Sequence, residues 1–184
     1  MRTLQLLIFL SMIAVSSPSW SHVSPKDAAE AAFYYQTSGN YPSLVDSYDA
    51  KTVSLLASTV DDLLVAHEKK PDEMVKTIFG SDESSTIRKL GAKALVAKFF
   101  SFMFGANLSE EERTLLRGAT FEYVETNSVS EDLAEVKYIV AFTEEAKTAE
   151  KAMLLKRQDG KWFITMKPHL IERIRAGFGL TTMQ

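Results

Sequence analysis

The sequence predicts an α+β domain, with N-terminal helices packed on a curved antiparallel sheet of about four strands and a short C-terminal helix. Three observations carry this. From Ser24 to Gly118 apolar residues recur at spacings of three and four, the repeat of a helix with one buried face. The repeat becomes two at Val136, Tyr138, Val140 and Phe142, as in a half-buried strand. Asp159-Gly160 then stands between two such strands, where it supplies the positive φ angles of a two-residue hairpin turn.

The chain opens with Arg2, a largely apolar run from Leu4 to Val15, and the small residues Ser19 and Ser21 on either side of Trp20. This is the pattern of a secretory signal peptide over residues 1–21, with cleavage expected after Ser21. A membrane anchor needs about 20 apolar residues, and this run stops at Ser16-Ser17-Pro18. Residues 22–184 are then expected to form one domain, placed in the periplasm or secreted.

Ser24 and Pro25 suit the start of a first helix over residues 25–37, which Ala28, Ala29, Ala32 and Phe33 give an apolar face and Gly39-Asn40 ends. After Tyr41-Pro42 a second, long helix is marked by Val53, Leu56, Ala57, Val60, Leu63, Leu64 and His67, and Pro71 ends or kinks it. Asp72 and Glu73 open a short third helix that Gly80 stops. From Ser84 to Phe104 the pattern is again helical, and Ala94 to Phe104 is apolar nearly all round, so burial on more than one side is expected. Ser109 with Glu112 forms a capping box that starts a brief helix ending at Gly118.

A first strand is expected over residues 119–127, with turns at 128–132 and 144–148 around the alternating strand. Asp159-Gly160 as the hairpin turn sets Arg157 opposite Trp162, Leu155 opposite Ile164 and Met153 opposite Met166. The core face of the sheet then holds Val136, Tyr138, Val140, Phe142, Met153, Leu155, Ile164 and Met166. After Lys167-Pro168, the residues Leu170, Ile171, Ile174 and Phe178 mark a final helix.

The 184 residues include no cysteine, which excludes disulfides, thiolate chemistry, cysteine-zinc sites and lipoprotein anchoring together. The formal charge is −3 with no basic stripe, so nucleic acid is not an expected partner. After signal cleavage no segment qualifies as an integral membrane span. Neither a cofactor nor a metal is expected, because no His, Asp and Glu set has ligand spacing.

Helices followed by a strand meander that ends in a charged hairpin resembles the nuclear-transport-factor-like, or cystatin-like, superfamily. The carrying residues are Gly39-Asn40-Tyr41, the segment Leu44 to Tyr48-Asp49, the alternating strand Ala134 to Phe142, and Leu154-Leu155-Lys156 with Asp159-Gly160-Lys161-Trp162-Phe163-Ile164. The resemblance implies a curved sheet wrapped around the first helix and enclosing an apolar pocket. It departs from the enzyme members of the superfamily, which usually carry an early hairpin where residues 71–117 here read as helix. Secreted helper modules and periplasmic lipid carriers of similar architecture fit this helix-rich first half better.

Isomerase or cyclase chemistry in such a pocket requires a carboxylate or histidine as general base. The sheet positions proposed as core contain neither, which leaves His67, Asp46, Asp49, Asp61 and Asp62 as the residues that would have to reach it. His67 alone, without a second ligand at metal spacing, also suits a helix C-terminus, and His22 and His169 are isolated. Tyr34, Tyr35, Tyr41 and Tyr48 present hydroxyls beside the first helix, or cap the core. Phe99, Phe100, Phe102, Met103 and Phe104 cannot all share one helix face, so they line a cavity or fill the core.

The reading is therefore a non-catalytic binding protein that holds an apolar ligand or lipid between sheet and helices. Its expected contacts are Tyr34, Tyr41, Phe99, Phe102, Met103, Tyr138, Val140 and Trp162. A protein-interaction module, such as a toxin inhibitor or immunity factor, and an isomerase-like or cyclase-like enzyme are the alternatives.

Overall fold

The computed structural model describes residues 24–66, 73–80, 84–87, 89–106, 108–142 and 147–180. The expected signal peptide, His22 and His67 lie outside them. Helix α1 (Pro25–Ser38) starts on Ser24, whose Oγ accepts the Asp27 N–H at 3.2 Å, and ends where Gly39 turns left-handed at φ 75°. Ala28, Ala29 and Ala32 are buried, and their small side chains let α1 lie close across all four strands.

A short helix α2 (Tyr41–Asp46) precedes the long α3 (Ala50–Ala66), a break that apolar spacing alone did not reveal. Asp49 causes it. Its carboxylate accepts the Thr52 N–H at 2.6 Å, the bond of a helix N-cap, and so fixes where α3 begins. Leu56, Val60, Leu63 and Leu64 form the buried stripe of α3.

Helix α4 (Glu73–Phe79) ends at Gly80, with φ 64°. The expected continuous helix from Ser84 to Phe104 is instead divided into α5 (Ser84–Ile87) and α6 (Ala92–Ser101). Gly91, with ψ 156°, is extended and stands as the N-cap of α6. Past Ser101 the helix widens into a π-helical turn, Phe102–Ala106. Leu95, Val96, Phe99 and Phe100 are buried while Lys98 and Ser101 stay in solvent, so α6 keeps one exposed face. Helix α7 (Glu110–Arg117) carries the capping box: Ser109 Oγ accepts the Glu112 N–H at 3.2 Å, and Glu112 Oε2 accepts the Ser109 N–H at 2.7 Å. Donation to the carboxylate by the Ser109 N–H, and then by the Ser109 hydroxyl, favours the ionised form and lowers the Glu112 pKa.

The sheet is antiparallel in the order β1 (Ala119–Ser130), β2 (Leu133–Phe142), β3 (Lys147–Gln158), β4 (Lys161–Ile164). Residues 128–130, expected as turn, belong to β1. The β1–β2 connection is only Glu131-Asp132, and register shifts at Tyr123/Glu125 and Ser128/Ser130 absorb the surplus residues of the longer strand. Lys147 and Thr148, also expected as turn, begin β3 by pairing with Phe142 and Ala141.

The final hairpin has the expected register, Arg157 opposite Trp162 and Leu155 opposite Ile164. Asp159 at φ 49° and Gly160 at φ 76° supply its turn. The expected pair Met153 with Met166 does not form in the ladder, because β4 stops at Ile164 and the Met166 N–H donates instead to Thr52 Oγ1 at 3.1 Å. Of the anticipated core positions, Val136, Tyr138, Val140, Leu155 and Ile164 are buried, whereas Phe142, Met153 and Met166 are half-buried.

The outer edge of β4 is closed by the α2–α3 junction. The Ile164 N–H donates to the Ser47 carbonyl at 2.8 Å, and the Asp49 N–H donates to the Ile164 carbonyl at 2.9 Å. Tyr48 thereby pairs in parallel with Ile164. Helix α8 (Pro168–Gly177) then folds back over α3. Among the described residues no helix is long and apolar enough to cross a membrane.

Asp49 thus caps α3 and holds β4 through adjacent backbone. Asp49→Ala is expected to lower unfolding free energy by about 1–2 kcal/mol in chemical denaturation, and Asp49→Asn, which keeps the acceptor, by less than half of that. Equal losses in the two variants would show that the cap is not what Asp49 contributes.

Candidate functional site: an apolar groove under the last helix

Two apolar clusters meet at Met153, which packs against both. The smaller, between α1 and the sheet, is built on Ala28, Ala29, Val136 and Leu155 with Phe121, Met153 and Trp162 against it. Beside it Tyr138 stacks on Phe121 at 4.7 Å between ring centroids, and Phe33 meets both rings. The space where the sheet faces α1 is thus occupied by side chains. Trp162 packs against this cluster, and Tyr138 and Val140 are buried on the same face of β2 as Val136.

The larger cluster joins α2, α3, α4, α6 and α8. Phe99 and Phe100 are at its centre, with Phe100 against Tyr48 and Phe104, and Phe99 against Phe178. From this core the π-helical turn opens outward. Its wider winding, with bonds to the fifth residue rather than the fourth, carries Phe102 and Met103 to a half-buried position. Gly105 allows the turn to pass Tyr41, since a Cβ there would meet Tyr41 Oη at 2.9 Å.

Between that turn and α8 lies a groove of about 690 Å³, lined by Phe102, Met103, Met166, Leu170, Arg173, Ile174, Gly177 and Phe178. Its volume is in the range of small-molecule sites. Two methionines and two phenylalanines make its walls, and unbranched thioethers adapt to an irregular apolar guest. Helix α8 is held over α3 by Arg175, whose Nη1 donates to Asp62 Oδ2 at 2.5 Å, and by buried Ile171.

Of the expected contact residues, the groove gathers Phe102 and Met103. Phe99 lies behind them as core, and Tyr41 packs against Gly105 on the flank of the π-helical turn. Tyr34 is elsewhere, 64% exposed beside a depression along α1 lined by Asp27, Glu30, Ala31 and Tyr35. The sequence did not single out Met166, Leu170, Arg173, Ile174, Gly177 or Phe178 as contacts. The usable signal was the stripe Leu170, Arg173, Ile174, Gly177, which recurs at spacings of three and four along α8.

None of the carboxylates considered as a general base lines this groove. Asp46 pairs with Lys93 at 2.6 Å, Asp62 pairs with Arg175, Asp49 caps α3, and Asp61 is exposed. Asp46 and Asp49 do border a cleft of about 320 Å³ with Tyr48, Lys93 and Gln158. There the carboxylates are engaged as acceptors, and no cluster of His, Asp and Glu suited to a metal occurs among the described residues.

Burial pushes the Tyr48 phenol far above its ordinary 10.0, and the neighbouring Tyr138 phenol adds to the rise. Burial also raises Tyr138, and raises Tyr41 against the opposing charge of Arg117. Comparison with protein-family models, curated proteins and solved structures gives no match for this chain.

A phenol that resists ionisation in the folded state stabilises fully below its unfolded pKa. That stability falls as pH rises above about 10, where the unfolded chain ionises first. The denaturation midpoint is therefore expected to drop above pH 10, and Tyr48→Phe to make the drop shallower. Parallel pH profiles for the two proteins would rule out Tyr48 as its source.

Proposed function

We propose that this protein is a periplasmic or secreted, non-catalytic carrier that holds an apolar ligand or lipid. The observation that carries this reading is the groove between the π-helical turn and α8, whose walls are aromatic rings, thioethers and aliphatic side chains with Arg173 as their one charge among the described residues. Apolar lining with few polar groups suits capture of a chain-like guest by loss of water contact. The signal peptide pattern at residues 1–21 agrees with an address in the envelope or beyond it. The likeness of the helix and strand order to nuclear-transport-factor-like proteins supports a binding module, although here the open apolar space lies under α8 and not between α1 and the sheet.

Native mass spectrometry of protein recovered under mild conditions is expected to show a small apolar adduct. Leu170, 38% exposed on the groove stripe, gives a substitution that leaves the core intact. Leu170→Glu is expected to weaken capture of a dodecyl-chain probe by about ten-fold, the equivalent of about 1.4 kcal/mol of lost apolar contact. Unchanged affinity would place the ligand elsewhere.

A second reading, a protein-interaction module, has its own observation. Tyr123, Val124 and Val129 are exposed on the edge strand β1, at 43%, 46% and 59%. If that edge meets a partner, the double substitution Val124→Lys with Val129→Lys abolishes co-purification of a stoichiometric protein while dodecyl-chain capture persists. Retention of the same partner by the double variant would refute it.

A further inference from the structure

Helix α8 carries two arginines on different faces. Ile171, Arg175 and Phe178 succeed one another at helical spacing and turn inward, where Arg175 meets Asp62 and the Phe178 ring lies 5.5 Å from that of Phe99. The neighbouring stripe, Leu170, Arg173, Ile174 and Gly177, lines the groove over about 10 Å of helix axis. Arg173 is exposed at the groove and has no ion-pair partner among the described residues.

We propose that the groove takes a free fatty acid, with Phe102, Met103, Met166 and Ile174 holding the acyl chain and the Arg173 guanidinium holding the carboxylate. This rests on the lipid-binding reading above and adds the head group to it. The charge arithmetic favours a monoanion: among the described residues one fixed cation borders an otherwise uncharged lining, and a planar guanidinium matches a carboxylate through two parallel hydrogen bonds. A dianionic phosphate head or an anionic bilayer surface calls for a cluster of cations, and the described lining holds one. The anchored Arg175–Asp62 pair fixes the rotation of α8 and so keeps Arg173 on the groove side.

Calorimetric titration of the protein with dodecanoate, dodecan-1-ol and dodecyltrimethylammonium, each below its micelle concentration and near pH 8, separates chain from head. Dodecanoate is expected to bind about ten-fold more tightly than the other two, as a partly exposed charge-assisted pair allows. Arg173→Gln is expected to bring the three to parity without changing the affinity for dodecanol, and Arg173→Glu to make the ammonium the tightest. Equal binding of the three by the unsubstituted protein overturns the head-group inference and leaves the carrier reading standing. A dodecanoate preference that survives Arg173→Gln also overturns it. Absence of binding by all three removes both. A dimer that dodecanoate does not disperse in sedimentation but Leu170→Glu does would place a second copy in the groove and overturn the proposal as well.

Discussion

Two hydrogen bonds on the backbone of Ile164 join the α2–α3 junction to the sheet. Ser47 accepts from one side of the residue and Asp49 donates to the other, so the α2–α3 junction behaves as a one-residue strand on the edge of β4. A sheet edge left open presents unpaired N–H and C=O groups, and a junction buried without partners would leave its own polar groups unmatched. Each need is met by the other. Ser47, Asp49 and Thr52 are among the few buried polar residues, and all three are engaged there: Asp49 caps α3, and Thr52 takes the Met166 N–H that β3 would otherwise leave unpaired at the end of the ladder.

That junction also sets the course of the chain beyond β4. With Met166 bound to the first turn of α3, Pro168 starts α8 close to α3, and Ile171 and Arg175 complete the docking. The Arg175 side chain is 5% exposed and Asp62 40% exposed, so one end of the pair remains near water. Such a pair adds modest net stability, but loss of one partner would strand a buried charge, which makes it effective at fixing orientation. The groove results from this placement, since α8 supplies one wall and the π-helical turn after α6 supplies the other.

Local chemistry was readable wherever a backbone conformation demanded particular residues. Ser24-Pro25, Ser109 with Glu112, and Asp159-Gly160 each announce a cap or turn that few other residues serve, and each stands where the sequence indicated. Alternation at Val136, Tyr138 and Val140 likewise identified the buried face of β2, whose expected last member, Phe142, is only half-buried. Periodicity does not encode the interruption of a helix by tertiary demand. The α2–α3 break, capped locally by Asp49, is held in place by Ile164, more than a hundred residues away in the chain, and Gly91 divides α5 from α6 inside a stretch that reads as helical throughout. The site was half legible for the same reason: Phe102 and Met103 stand out as apolar excess, whereas Met166 and Arg173 acquire meaning only once α8 is folded back beside them.

The π-helical turn at Phe102–Ala106 has a consequence for how the groove came to exist and how it would be lost. A π turn holds one residue more than an α turn, so it is equivalent to a single-codon insertion in a regular helix. Removing one residue from this stretch would rewind α6 to ordinary pitch and rotate the downstream chain by roughly 100° about the helix axis. Phe102 and Met103 would then be out of phase with α8. In evolutionary terms this wall of the groove is one deletion away from being plain helix, so a single indel is a short path to gaining or abolishing the cavity.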